Sequence, residues 1–129
     1  MRVLGIEFES NRMNFVLLSG NRDAYNIEYK NRLQLGDTRS RESLVAFQNA
    51  VTTLYNSVRP DKIAIKSKPE SGRLRAGAAA LKMEGVVLAN APCEVTFVSG
   101  QIINQCTADN PDLLKYQLPA FRAAAVTIE

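Results

Sequence analysis

Glu7 is the first residue in the chain whose placement asks for a chemical explanation. It stands near the end of Arg2 to Phe8, an apolar run with a single carboxylate. A run this apolar reads as a strand buried on both faces, and a carboxylate taken out of water needs a metal ion, a cation or hydrogen-bond donors beside it. Four other acids, Glu9, Glu70, Glu84 and Asp112, could complete a metal site if loops carried them to Glu7. The simpler reading of each is a solvated surface charge. The chain has no histidine, so a Ser-His triad, a Cys-His pair and a histidine-bound zinc are excluded. Cys93 and Cys106 match no metal-binding spacing and make no disulfide framework, so both read as reduced thiols. Any catalysis must therefore run on carboxylates, lysine or hydroxyls.

The basic residues gather in one stretch. From Asp61 to Glu84 there are six bases, Lys62, Lys66, Lys68, Arg73, Arg75 and Lys82, against three acids. Such a cluster can neutralise phosphates with salt-sensitive affinity, and it can equally be the wet face of an amphipathic helix. No aromatic residues interleave it, as they do in binders that stack single strands. Gly72 to Gly77 has the glycine spacing of a phosphate loop but lacks the Lys-Ser/Thr that must follow, and is set aside.

These residues must be positioned by one fold. The 129 residues, 46% hydrophobic and 22% charged, suit a single domain spanning residues 1–129. No signal-peptide pattern or membrane-length apolar run is present, which leads to the expectation of a soluble, cytoplasmic protein without membrane contact. A formal charge of +3 and a pI near 9.0 are compatible with a nucleic-acid partner and decide nothing alone.

Glu9 to Arg12 reads as a turn between the first strand and Met13 to Leu18, a hairpin. From Ala24, Tyr25, Ile27 and Tyr29 alternate with polar residues, the period of a third strand at the sheet edge. Leu44, Phe47, Val51, Leu54 and Val58 fall at helical spacing beyond Ser40. Lys62 to Lys66 follows as a strand that, after a crossover helix, should lie parallel to an earlier one. Arg73 to Ala89 predicts a second helix whose small residues, Gly77 to Ala80, permit close backbone approach. Val95 to Val98 gives the fifth strand, and Ser99 opens a further helical stretch. Asn110-Pro111 carries a helix-start signal, with Pro119 kinking or breaking the last helix. The order is β-β-β-α-β-α-β-α.

That order, with Val3-Leu-Gly-Ile-Glu7 opening the chain and Pro60 to Lys66 as the fourth strand, resembles the ribonuclease H-like superfamily, and within it the RuvC-type Holliday-junction resolvases. Ala78-Ala-Ala-Leu-Lys-Met-Glu-Gly85 looks like the resolvase helix after the fourth strand, and Cys93 to Val98 like the fifth strand. The chain is also similar to a small uncharacterised bacterial family of this fold that shares the strand-one Glu and the Lys-Met-Glu motif. The resemblance, which covers nearly the whole chain, implies an α/β fold with a five-stranded mixed sheet of order 3-2-1-4-5.

In the catalytic relatives, acids ending strands one and four and on the last helix hold two divalent ions about 4 Å apart for phosphodiester cleavage. Glu7 matches the first of these positions. Lys66 stands at the strand-four position, and no carboxylate lies between Asp112 and Glu129. The resemblance thus places Lys66 beside Glu7, an ammonium where relatives hold metal. The expectation is a non-catalytic, cofactor-free module for binding nucleic acid or protein, a homodimer as RuvC-like proteins commonly are. Its DNA or RNA would contact Lys66, Lys68, Arg73, Arg75 and Lys82. The competing expectation is a nuclease using magnesium or manganese on a rearranged acidic site, with Glu7 catalytic.

Overall fold

Alternation along Arg2–Glu9 (β1) divides the interior in two: Leu4, Ile6 and Phe8 enter one hydrophobic cluster and Val3 enters the other. A computed structural model describes residues 1–129. β1 pairs antiparallel with Arg12–Gly20 (β2), and β2 pairs antiparallel with Tyr25–Gln34 (β3). On its other side β1 pairs in parallel with Lys62–Lys66 (β4), which pairs in parallel with Glu94–Val98 (β5). The five-stranded sheet has the order β3-β2-β1-β4-β5, the expected one, with β3 at an edge.

Arg41–Val58 (α1) and Ala78–Ala89 (α2) cover one side of the sheet. α1 begins where the sequence indicates: the Ser40 hydroxyl accepts a hydrogen bond from the Ser43 backbone N–H at 3.2 Å. It ends at Arg59, whose positive φ of 46° lets its N–H reach the Tyr55 carbonyl ahead of Pro60. Phe47, Val51, Leu54, Tyr55 and Val58 are its buried stripe.

The second helix corrects the expectation. It starts at Ala78 rather than Arg73, and the residues between β4 and Gly77 form a loop. Gly72 sits at φ 90°, outside the right-handed helical region, and the Ala76 N–H turns back to the Pro69 carbonyl at 2.7 Å. Leu74, 80% exposed, has no core to enter, so nothing rewards helix formation there.

The opposite side is covered by Gly100–Gln105 (α3) and Leu118–Ala125 (α4). Here too the sequence signal misplaces a helix start. The Asn110 side chain accepts from the Asp112 N–H at 2.9 Å and its carbonyl from the Leu113 N–H at 3.1 Å, so Asn110-Pro111 makes a turn. A single 3-10 turn, Lys115–Gln117, then leads into α4. Pro119 occupies the first turn of α4, where its missing N–H costs nothing, and it neither kinks nor breaks the helix.

α4 lies unusually close to β1. A Cβ added at Gly5 would overlap the Ala120 carbonyl oxygen and fall 2.9 Å from the Ala124 Cβ. Close backbone approach thus occurs through Gly5, Ala120 and Ala124, while the α2 glycine, Gly85, faces open space. No helix is long and apolar enough to cross a membrane.

Candidate functional site

Four adjacent strands each contribute one polar side chain to a row on the α4 side of the sheet. Glu7 of β1 lies opposite Asn14 of β2, and Asn14 opposite Arg32 of β3. The parallel register pairs Ile6 with Ile65, so the next step sets Glu7 beside Lys66 of β4. Lys66 Nζ donates to Glu7 Oε2 at 3.3 Å, and Asn14 Nδ2 donates to Glu7 Oε1 at 3.5 Å. Arg32 Nε donates to Asn14 Oδ1 at 3.2 Å. The row follows from strand order and alternation: an odd-numbered step along β1 puts Val3, Gly5 and Glu7 on one side.

Glu7 is only 6% exposed and Asn14 fully buried, so each needs the other members of the row. Both contacts to Glu7 are longer than the 2.7–2.9 Å of a tight charge-assisted hydrogen bond. The carboxylate is neutralised yet keeps acceptor capacity.

The 3-10 turn before α4 closes over this row. The Arg32 guanidinium carbon lies 4.0 Å from the centre of the Tyr116 ring, a cation–π contact. Lys30 donates to the Asp112 carbonyl, tying the preceding Asn110-Pro111 turn to β3, and Gln117 Oε1 accepts from the Leu114 N–H at 2.8 Å, closing the 3-10 turn on itself. Between turn and sheet is a cavity of about 460 Å³ lined by Glu7, Glu9, Lys115, Tyr116 and Pro119.

These residues do not fit a pair of divalent ions. One buried carboxylate already faces an ammonium, and no group of three or more His, Cys, Asp or Glu side chains comes together anywhere in the structure. Of the four acids that could have completed a metal site, only Glu9 shares the cavity with Glu7, and it faces Arg12 at 3.9 Å. Glu70 and Glu84 are near each other; burial first, and then the Glu70 charge, hold the Glu84 carboxyl above its ordinary range. Asp112 is exposed on the surface.

The bases of the sequence cluster stand on three consecutive elements, β4, the loop after it and α2. Lys66 enters the row, and Lys68 follows in the exit from β4. Arg73 and Arg75 are exposed on the loop, where Arg75 Nη1 donates to the Gly72 carbonyl at 3.0 Å. Lys82, on α2, donates to the Thr38 carbonyl at 2.7 Å, and Lys62 pairs with Glu129 at 3.2 Å at the other end of β4. Sequence reasoning missed Asn14, Arg32, Lys115 and Tyr116. The one local signal was Asn14, a lone amide inside the apolar run Met13 to Leu18. The other three are joined to Glu7 only by strand register and by the turn.

A second groove, of about 630 Å³, runs along α1 where the β2–β3 hairpin extends past it. Phe15, Leu33 and Tyr29 form part of its wall, and the Arg2–Glu28 pair at 3.4 Å closes one end. Burial pushes the Tyr55 hydroxyl well above its ordinary range, reinforced by the Cys93 thiol, and it donates to the Val87 carbonyl at 2.9 Å. The Cys93 thiol is also pushed up, by burial first and then by Asp61 and Glu94, which keeps it protonated.

The sheet order and its flanking helices are those of the ribonuclease H-like α/β fold. Thermus thermophilus RuvC superposes with a TM-score of 0.77 at 12% identity, covering 97% of this chain and 92% of that one. The same protein in complex with a Holliday junction substrate gives 0.74 at 14% identity, over 97% and 90%. The yeast mitochondrial Holliday junction resolvase gives 0.55 at 18% identity, over 76% of this chain and 50% of its own. At these identities the likeness is one of fold. The chain belongs to the family DUF3010, described as a protein of unknown function, whose model matches residues 1–127. No curated protein matches the sequence.

Proposed function

We propose that residues 1–129 act as one ribonuclease H-like domain that binds nucleic acid without cleaving it. One observation carries the proposal: the Lys66 ammonium lies 3.3 Å from the buried Glu7 carboxylate, on the adjacent parallel strand. An ion pair there balances the charge that a divalent ion would otherwise balance. The solved relatives that are complexed with Holliday junction DNA support nucleic acid as the partner class. In this reading Lys68, Arg73, Arg75 and Lys82 contact phosphates, and Lys66 contributes the part of its ammonium not engaged by Glu7.

The domain should bind DNA or RNA with an affinity that falls steeply as salt rises, and cleave neither in magnesium or manganese. Replacing Lys68, Arg73 and Arg75 with alanine should lower the slope of log affinity against log salt by roughly one unit for each phosphate no longer neutralised. Cleavage that requires a divalent ion and disappears in Glu7→Gln would establish the nuclease reading instead. We also assign a homodimer, supported by α2, which is apolar nearly all round: Ala80, Met83 and Val87 face the core, while Leu88 is 40% exposed beside the uncovered Gly85. Sedimentation equilibrium should find a dimer that Leu88→Glu converts to monomer; a monomeric wild type refutes it.

A further inference from the structure

The cavity beside Glu7 has chemistry that neither a metal ion nor a phosphate would use. Its deepest polar group is a carboxylate, 6% exposed, that accepts only two long hydrogen bonds, at 3.3 and 3.5 Å. A carboxylate has about four acceptor positions, so Glu7 can take a further donor. That donor should be neutral. Lys66 already supplies one positive charge, and Arg32 and Lys115 stand close by, so a second cation would be repelled while an uncharged N–H would not. Phosphate is disfavoured at the same spot because both Glu7 and Glu9 line it.

The remaining walls suit a flat ring. Tyr116 is held in place by the Arg32 guanidinium at 4.0 Å, which does not itself line the cavity, and Pro119 adds an apolar surface. A volume of about 460 Å³ lies within the range of sites that enclose one small planar group. Lys115, exposed at the rim, can meet an anion just outside.

We propose that this cavity receives one unpaired, amino-bearing nucleobase of a single strand, with its ring against Tyr116 and its exocyclic amine donating to Glu7. This rests on the nucleic-acid reading and adds a strand state and a base preference to it. The adjacent phosphate lies on Lys115. Cytosine and adenine offer an amine at their pairing edge; thymine and uracil offer an N–H flanked by two carbonyls, which oppose a carboxylate. A paired base hides that edge, so duplex is excluded from the cavity.

Fluorescence anisotropy with oligo-dC, oligo-dA, oligo-dT and a paired duplex tests the assignment. Oligo-dC and oligo-dA should bind roughly tenfold more tightly than oligo-dT, the discrimination expected of one good base contact. Glu7→Gln, whose amide donates as well as accepts, should erase the preference for dC over dT while binding persists. Tyr116→Leu should weaken all three strands, and Tyr116→Phe should restore them, because stacking needs the ring and not the hydroxyl. Equal affinity for dC and dT, a preference unchanged by Glu7→Gln, or duplex binding as tight as that of the single strand would overturn the base site while leaving nucleic-acid binding intact. Absence of binding to every probe would remove the underlying reading and this one with it.

Discussion

The two sides of the sheet are built on opposite principles. Under α1 and α2 the strands present mainly apolar side chains, including Leu4, Ile6, Phe15, Ile63 and Ile65, with Arg2 and Asn31 at the margin, and the helices answer with Phe47, Val51 and Met83. Under α4 the strands begin in the same way, with Val3, Val16 and Ala64, but then come Gly5, where backbone meets backbone, and the row Lys66, Glu7, Asn14 and Arg32. Apolar packing is non-directional and tolerates exchange of residues at constant volume. A buried polar row is directional, costly to desolvate and disabled by removal of one member. Both sides bury an apolar cluster, and only the second adds a buried polar row to it.

The sharpest break in that comparison is at glycine. Gly5→Ala should destabilise the protein by about 3 kcal/mol in a denaturant titration, since the methyl group meets the rigid Ala120 carbonyl. Gly85→Ala, inside α2 with nothing within 4 Å of its Cβ, should instead stabilise by about 0.5–1 kcal/mol through helix propensity. Equal effects at the two positions would mean that α4 does not lie on β1 as described.

Next in size is the ion pair. Lys66→Met leaves Glu7 buried without its cation and should cost about 2 kcal/mol, less than a fully buried pair because the lysine side chain is 23% exposed. Adding Glu7→Leu to Lys66→Met should recover most of that stability, because the unpaired charge is then gone. A double variant as unstable as the single would show that the row is held by something other than charge balance.

The smallest effect belongs to the apolar side's rim. Glu84 has its pKa raised in the folded state, so folding favours its protonated form. Its contribution to stability is therefore fully present below the ordinary carboxylate range and is lost as pH rises through the Glu84 pKa. Glu84→Gln should flatten that decline in thermal melts across the mildly acidic range.

The two sides also differ in how much of each a sequence can reveal. The neighbourhood of Glu7 and Lys66 was legible only through the resemblance, which implies that strands one and four adjoin; the crossover helix alone says that β4 runs parallel to some earlier strand, and the register shows which. The long stripe of α1 and its Ser40 cap were legible because both signals are local. Arg73 and Arg75 were misplaced on a helix because composition favoured one, whereas Leu74 between them is exposed with no core to enter and the helix starts only at Ala78. The start of α4 was misplaced because an Asn-Pro pair opens turns as readily as helices, and only burial decides between them. Gly5 looked like one small residue in an apolar strand, and its role appears only with Ala120 against it. Tyr116 and Arg32 are 84 residues apart in sequence, by subtraction of their numbers, and no local pattern links them.

The central claim is that the Glu7 pocket carries its own cation and has no place for a divalent ion. Manganese titration followed by electron paramagnetic resonance tests it directly, with the wild type compared against Glu7→Gln. The expected result is no stoichiometric bound manganese in either protein and superimposable titrations. A bound ion in the wild type that is lost in Glu7→Gln would contradict it.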